Sequence, residues 1–277
     1  MFEMVISFQT SLVLINRNQT ILGEDMASKS EQEKVYLITG GSRTLGAALC
    51  RYLAHKGGQI AINYHQSEAA AKNLCEELTG LGAQAHAIQA DVTKTADISR
   101  LVKETIAHFD RIDVLVNNVG PYVDAPFLKL PVRDFDAILA GNIRSTFLMC
   151  QRVGKRMKEQ GHGKIINIAA TDYKHRSHSV YGLAKSGVVY LTEALALELA
   201  PQAQIFAIAP DLIADNEDMT TELVDEATGG TPMGRLVNRK EIAQVVYQLC
   251  TSPFTMATGG TIVLDGGRSI PRIANAP

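Results

Sequence analysis

The chain has 277 residues, a formal net charge of −2 and 46% hydrophobic residues. That is enough apolar material for one sizeable core, and it gives no charge excess of the kind that draws a protein to nucleic acid or a membrane surface. Four scattered cysteines with no metal-ligand spacing argue against a zinc site or a disulfide framework and fit free thiols in the cytoplasm. No apolar run approaches the roughly 20 residues a membrane span requires.

The first residues carry a short apolar run, Leu12-Val13-Leu14-Ile15, with no basic segment before it and no small-residue cleavage site after it, which argues against a secretory leader. Residues 1–33 read as an N-terminal extension, and residues 34–277 as a single nucleotide-binding domain. From Lys34 onward, strands and helices alternate. Residues 35–39 form a short apolar run closed by Gly40-Gly41, and Leu45, Leu49 and Leu53 follow at helical spacing. Strands are predicted at 59–64, 84–89, 112–116, 164–168, 205–208 and 261–264. Between them come helices at 67–81, with Ser67 as N-cap, at 94–109, as one long pattern at 133–159, and at 179–199 and 240–249. This alternation predicts an α/β, doubly wound, three-layer fold with a parallel sheet. Ligands of such sheets lie beyond the carboxyl ends of the strands. The connection 210–238 is too long for an ordinary loop and reads as a lid over a substrate.

Three features at those strand ends carry chemistry. Thr39-Gly40-Gly41-Ser42-Arg43-Thr44-Leu45-Gly46 joins strand to helix, where glycines let the backbone approach a pyrophosphate and the helix N-terminus stabilises it. A plain glycine-rich turn has the same composition. The second strand ends in Asn63-Tyr64-His65-Gln66-Ser67, with no carboxylate for the ribose hydroxyls of NAD, whereas Arg43 and Ser67 suit the 2′-phosphate of NADP. Tyr181 and Lys185 stand four residues apart, on one face of a helix. A cation there favours the phenolate and brings a proton transfer closer to neutral pH, although the same spacing also occurs on ordinary solvated helices.

The motifs at 39–46, Asp91-Val92, Asn117-Asn118-Val119-Gly120, Asn142 and Tyr181-x-x-x-Lys185, with the tail Gly259-Gly260-x-x-Val263-x-Asp265-Gly266-Gly267, resemble the short-chain dehydrogenase/reductases in order and spacing. Within that family the chain is similar to 3-oxoacyl-(acyl-carrier-protein) reductases and pteridine reductases. The resemblance spans about 35–269 and implies a Rossmann-like subunit with a seven-stranded parallel sheet, a nicotinamide cofactor and a homotetramer, or a homodimer. It implies NADP(H) contacts at Gly40, Ser42, Arg43, Leu45, Gly46, Ser67, Asp91, Val92, Asn117, Val119, Gly120 and Ile213, and at Tyr181 and Lys185. It also implies catalytic roles: Tyr181 as general acid, Lys185 as its cationic partner and Asn142 as holder of a relay water.

Four positions depart from the family pattern. Thr44 stands at a loop glycine. Ala170 stands where the family has a serine that bonds the substrate oxygen, a loss of about 2–4 kcal/mol in the transition state unless the neighbouring Thr171 or a protonated Asp172 replaces it. Asp211 stands where the family has the glycine of a Pro-Gly pair and Asp215 where it has a threonine, and the two begin an acidic run beside the expected cofactor, where their charge would repel its phosphates. The loop Tyr173-Lys174-His175-Arg176-Ser177-His178 is basic and suits either solvent or an anionic, carrier-bound substrate. The reading is therefore an NADPH-dependent oxidoreductase acting on a small carbonyl, C=N or pteridine-like substrate. The alternative is a pseudoenzyme that keeps the cofactor site as a structural or regulatory subunit.

Overall fold

The structure is a computed structural model that describes residues 34–271 apart from Asp124, 175–177, Asp218 and 252–253. The predicted extension at 1–33 and part of the basic loop, 175–177, lie outside the described residues. Seven strands form one parallel sheet: β1 (Val35–Ile38), β2 (Gln59–Tyr64), β3 (Ala85–Gln89), β4 (Val114–Asn117), β5 (Lys164–Ile168), β6 (Gln204–Pro210) and β7 (Thr261–Leu264). Their order is β3-β2-β1-β4-β5-β6-β7. The order reverses between β1 and β4, which places the crevice for a ligand at the ends of those two strands.

Period-two alternation sends successive residues of each strand into different layers. Ile38, Ile62, Val116, Ile166 and Ile208 pack with Leu49 and Leu53 of α1 (Thr44–His55), Leu74 and Leu78 of α2 (Glu68–Gly80), and Ile242 and Val246 of α8 (Arg239–Cys250). On the opposite face Leu37, Leu115, Ile165 and Ile205 pack with three other helices. These contribute Ile98 and Leu101 of α3 (Thr95–Phe109), Met149 and Val153 of α5 (Ser145–Gln160), and Ala196 and Leu199 of α6 (Val180–Leu199). The three-layer expectation holds.

The long pattern at 133–159 is not one regular helix. It divides into α4 (Val132–Leu139), a π-helical turn at Ala140–Arg144, and α5. The cause is Asn142, whose buried side-chain amide donates to the Ile138 carbonyl, its own i−4 partner, and to the Pro121 carbonyl, both at 3.0 Å. Such π-turns concentrate at functional sites. The connection after β6 also differs from an open loop. It contains α7 (Thr221–Gly229), capped by the Thr220 hydroxyl, and an isolated parallel bridge between Ile213 and Val237 closes its base. Ser67 occupies the N-cap position of α2 but accepts no capping bond through its side chain.

Candidate active site

The turn after β1 owes its shape to the backbone. Gly40 is left-handed (φ +60°), and Thr44 takes φ +49°, a region that costs a β-branched residue strain and that glycine would enter freely. A side chain at Gly46 would come within 2.2 Å of the Gly40 carbonyl oxygen, so α1 can lie against the turn only with glycine there. No side chain caps the first amides of α1 and no acidic residue sits in its first turn, which leaves that helix end suited to an anion. Leu45 is buried beneath it, Ser42 is half-buried and Arg43 is exposed.

Asparagines stitch the strand ends around this turn. Asn63, buried at the end of β2, accepts from the Gly40 amide (3.2 Å) and donates to the carbonyls of Ile88 (3.4 Å) and Ala90 (3.1 Å). Asn118 donates to the Thr39 carbonyl at 3.1 Å, and the Thr39 hydroxyl accepts from the amides of Asn118 and Val119. Neither Asn63 nor Asn118 stands out by spacing or charge; the signal for Asn63 in the sequence is a lone amide near the end of an otherwise apolar strand. Asn117 points into the sheet, donating to Asn167 Oδ1 (2.8 Å) and Cys150 Sγ (3.2 Å), so its side chain holds β4 to β5.

Asp91 and Val92 lie at the end of β3, with Val92 buried. Burial raises the pKa of Asp91, but bonds from the Thr93 hydroxyl and amide, with Lys94 and His65 nearby, outweigh it and hold the carboxyl below its usual range. Ser67 is half-buried on the neighbouring rim.

Tyr181 and Lys185 share one face of α6, with the Lys185 ammonium 5.5 Å from the Tyr181 ring centroid. Ser179 caps this helix by accepting from the Gly182 amide. Lys185 Nζ is buried and donates to the Ile168 carbonyl at the end of β5 (2.8 Å). Gly120 completes the group. A Cβ there would lie 2.2 Å from Asn142 Oδ1 and 3.1 Å from Lys185 Nζ, so both polar atoms face the same bare glycine. Asn142 Oδ1 is buried without a protein partner. An orphaned acceptor beside an ammonium calls for a water or ligand hydroxyl. Together with the bare helix end and the glycine edges, it makes these residues fit a nicotinamide dinucleotide.

The pKa of Tyr181 runs opposite to the direction its spacing predicts. Burial pushes the phenol up, and Asp172 and Tyr122 add to the shift. Burial brings Lys185 down to about 8, with Asp172 opposing. Tyr122 meets Tyr181 edge to face, 5.0 Å between centroids. Thr171, the expected substitute for the missing serine, is buried and donates its hydroxyl to Asp211 Oδ1 (3.1 Å). Ala170 beside it is buried too.

The acidic run after β6 is also not the repulsive patch its composition predicts. Asp211 pairs with Arg268 (3.3 Å), Asp215 accepts from the Arg239 amide at the start of α8 (3.0 Å), and Glu217 pairs with the Arg239 guanidinium (2.6 Å). Ile213 is fixed by its bridge to Val237.

A family model described as enoyl-(acyl carrier protein) reductase matches residues 40–269. The chain belongs to the short-chain dehydrogenase/reductase family. It is thereby an oxidoreductase of a family whose members bind nicotinamide cofactors. A 3-oxoacyl-(acyl-carrier-protein) reductase from Synechocystis is 36% identical over 84% of this chain and 96% of its own length. A short-chain dehydrogenase/reductase from Serratia marcescens superposes with a TM-score of 0.80 at 32% identity, covering 85% of this chain and 98% of its own. A 7α-hydroxysteroid dehydrogenase complexed with NADH and 7-oxo glycochenodeoxycholic acid has a TM-score of 0.80 at 25% identity, over 86% and 96%. Among the described residues no helix is long and apolar enough to cross a membrane, and no group of three or more His, Cys, Asp or Glu could hold a metal ion.

Proposed function

We propose that this chain is an NADPH-dependent reductase of a carbonyl or C=N group, with Tyr181 as the acid that protonates the substrate atom. The observation that carries the reading is that Asn142 Oδ1 and Lys185 Nζ both face the bare Gly120, while the same Lys185 ammonium lies 5.5 Å from the Tyr181 ring centroid. The cofactor, when bound, supplies the hydride. Gly40, Ser42, Leu45 and Gly46 would receive its pyrophosphate, Asp91 and Val92 its adenine, Asn117, Val119 and Gly120 would flank its ribose, and the Ile213 backbone would meet its carboxamide. Arg43 and the unused hydroxyl of Ser67 favour the 2′-phosphate over a bare ribose. A raised pKa keeps Tyr181 protonated as an acid in the direction of reduction, and Lys185 keeps most of its charge at pH 7. The Asn142 oxygen and Lys185 hold the water through which Tyr181 regains its proton.

For the substrate, the likeness to 3-oxoacyl-(acyl-carrier-protein) reductases and the exposed Lys174 on the rim favour an anionic or carrier-bound carbonyl compound. Exposed Leu183, Tyr190 and Leu197 recur every seven residues along α6, and this apolar stripe supports a homotetramer, or at least a homodimer. We place the protein in the cytoplasm, with residues 1–33 outside the catalytic domain.

The test is oxidation of NADPH and of NADH with a 3-oxoacyl thioester, a 7-oxo steroid, a pteridine and simple ketones, beside direct titration of each dinucleotide. Preferred turnover of NADPH is expected. A preference for NADH would remove the cofactor assignment. Binding without turnover would favour the second reading, a cofactor-binding pseudoenzyme, for which Ala170 and the engaged Thr171 hydroxyl speak.

A further inference from the structure

Three side chains from distant parts of the chain, Thr171, Asp211 and Arg268, meet beyond the carboxyl ends of β5 and β6. Thr171 opens the 3-10 turn Thr171–Lys174 that follows β5. Its hydroxyl donates to Asp211 Oδ1 at 3.1 Å, while Arg268 Nη1 donates to Asp211 Oδ2 at 3.3 Å. Asp211 is itself anchored, since its amide donates to the Leu264 carbonyl at the end of β7 (3.1 Å). The turn that carries Arg268 is held in the same way: Asp265 accepts from the amides of Gly267 (2.9 Å) and Ser269 (2.6 Å). The carboxylate and guanidinium are largely shielded, with side chains 14% and 24% exposed, so their attraction is weakly screened. The next residue after Thr171 is Asp172, whose charge acts on both Tyr181 and Lys185. Among the described residues, Lys185 and Tyr122, the latter from the segment after β4, are the other titratable groups facing Tyr181.

We propose that Asp211 is a positioning residue for proton transfer. By engaging the Thr171 hydroxyl and the Arg268 guanidinium together, it locks the turn after β5 to the C-terminal tail and so fixes Asp172, the next residue of that turn, where the turn packs on α6. The glycine that the family pattern carries at this position has no side chain to do this. The role in proton transfer rests on the reductase reading above; the role in placing Asp172 does not.

The experiment compares Asp211→Gly, which removes both bonds, with Asp211→Asn, which keeps an oxygen for Thr171 but loses the charge facing Arg268, and with Asp172→Asn. Because Asp172 favours the charged form of Lys185, displacing it lowers the Lys185 pKa. NMR titration of the Lys185 side chain, assigned with Lys185→Met, should show that fall in Asp211→Gly and Asp172→Asn alike. A smaller fall is expected in Asp211→Asn, and none beyond the single changes in the double variant Asp211→Gly/Asp172→Asn. In turnover, Asp211→Gly should lower kcat by roughly tenfold and move the alkaline limb of the pH profile to lower pH, with little change in NADPH affinity. An unshifted Lys185 titration in both Asp211 variants, or shifts that simply add in the double variant, would overturn the proposal. If the wild-type chain reduces no substrate, the reductase reading fails, while the Lys185 titration still decides the role of Asp211.

Discussion

The turn after β1 and the segment after β6 lie on the same edge of the sheet, yet they are held by different means. After β1 the shape comes from the main chain: a left-handed Gly40, a strained Thr44, and an α1 that approaches closely because Gly46 has no side chain. After β6 the shape comes from acidic side chains engaged across long stretches of sequence: Asp211 with the Arg268 guanidinium, Glu217 with the Arg239 guanidinium and Asp215 with the Arg239 backbone amide. The first region tolerates little added volume. The second tolerates volume but depends on partners, so single substitutions there act through the charge left behind.

The largest effect is expected at Tyr181. Tyr181→Phe should lower reduction by roughly 100- to 10,000-fold while dinucleotide titration stays within a factor of two; retained activity would remove the acid role. Next comes Gly46→Ala, which drives a methyl group into a backbone oxygen. It should weaken NADPH binding more than tenfold and lower unfolding stability by about 1–3 kcal/mol, read by fluorescence titration and chemical denaturation. An unaffected variant would mean that α1 can retreat and that the turn is not set by the backbone. Third is pH. Lys185 loses its proton as pH rises through about 8, so kcat should fall above that pH by up to tenfold per unit in a steady-state profile. The same group makes unfolding stability rise with pH between about 8 and its free value near 10.4, because there the unfolded chain binds the proton that the folded chain has released; below that window its burial costs stability, and above it the contribution levels off. The smallest effect is Thr44→Gly, which relieves the left-handed strain at the cost of a more flexible unfolded chain. A small rise in melting temperature with unchanged cofactor affinity is expected; a fall would show that the threonine side chain stabilises the turn.

The contrast between the regions also explains what the sequence made legible. The parallel three-layer fold follows from alternation, and the seven-stranded sheet from the family resemblance that the motifs at 39–46 and 117–120 carry. The Tyr181–Lys185 face follows from a four-residue spacing on a long helix. These are local patterns, and local patterns survive in one dimension. The engagement of Thr171 by Asp211 joins residues 40 apart, and that of Asp211 by Arg268 joins residues 57 apart. No local pattern announces either, so Thr171 reads as a free donor and the acidic run as repulsive. The pKa of Tyr181 misleads for a related reason. Spacing reports that a lysine is near, whereas the depth of burial and the approach of Asp172 depend on how the turn after β5 packs on α6. Asn142 lies between these cases, because its position suits the family pattern but the π-turn it creates has no periodicity to betray it.

Asn63 has one more consequence. Its single amide ties the turn after β1, the end of β2 and the start of the loop after β3 into one unit. The slot is therefore shaped during folding rather than on contact, and a dinucleotide entering it need not freeze three separate loops. Loop ordering is a principal cost of association. Its removal predicts fast, single-phase capture of NADPH in stopped-flow fluorescence, with Asn63→Ala slowing capture and introducing a second phase as the loops find each other.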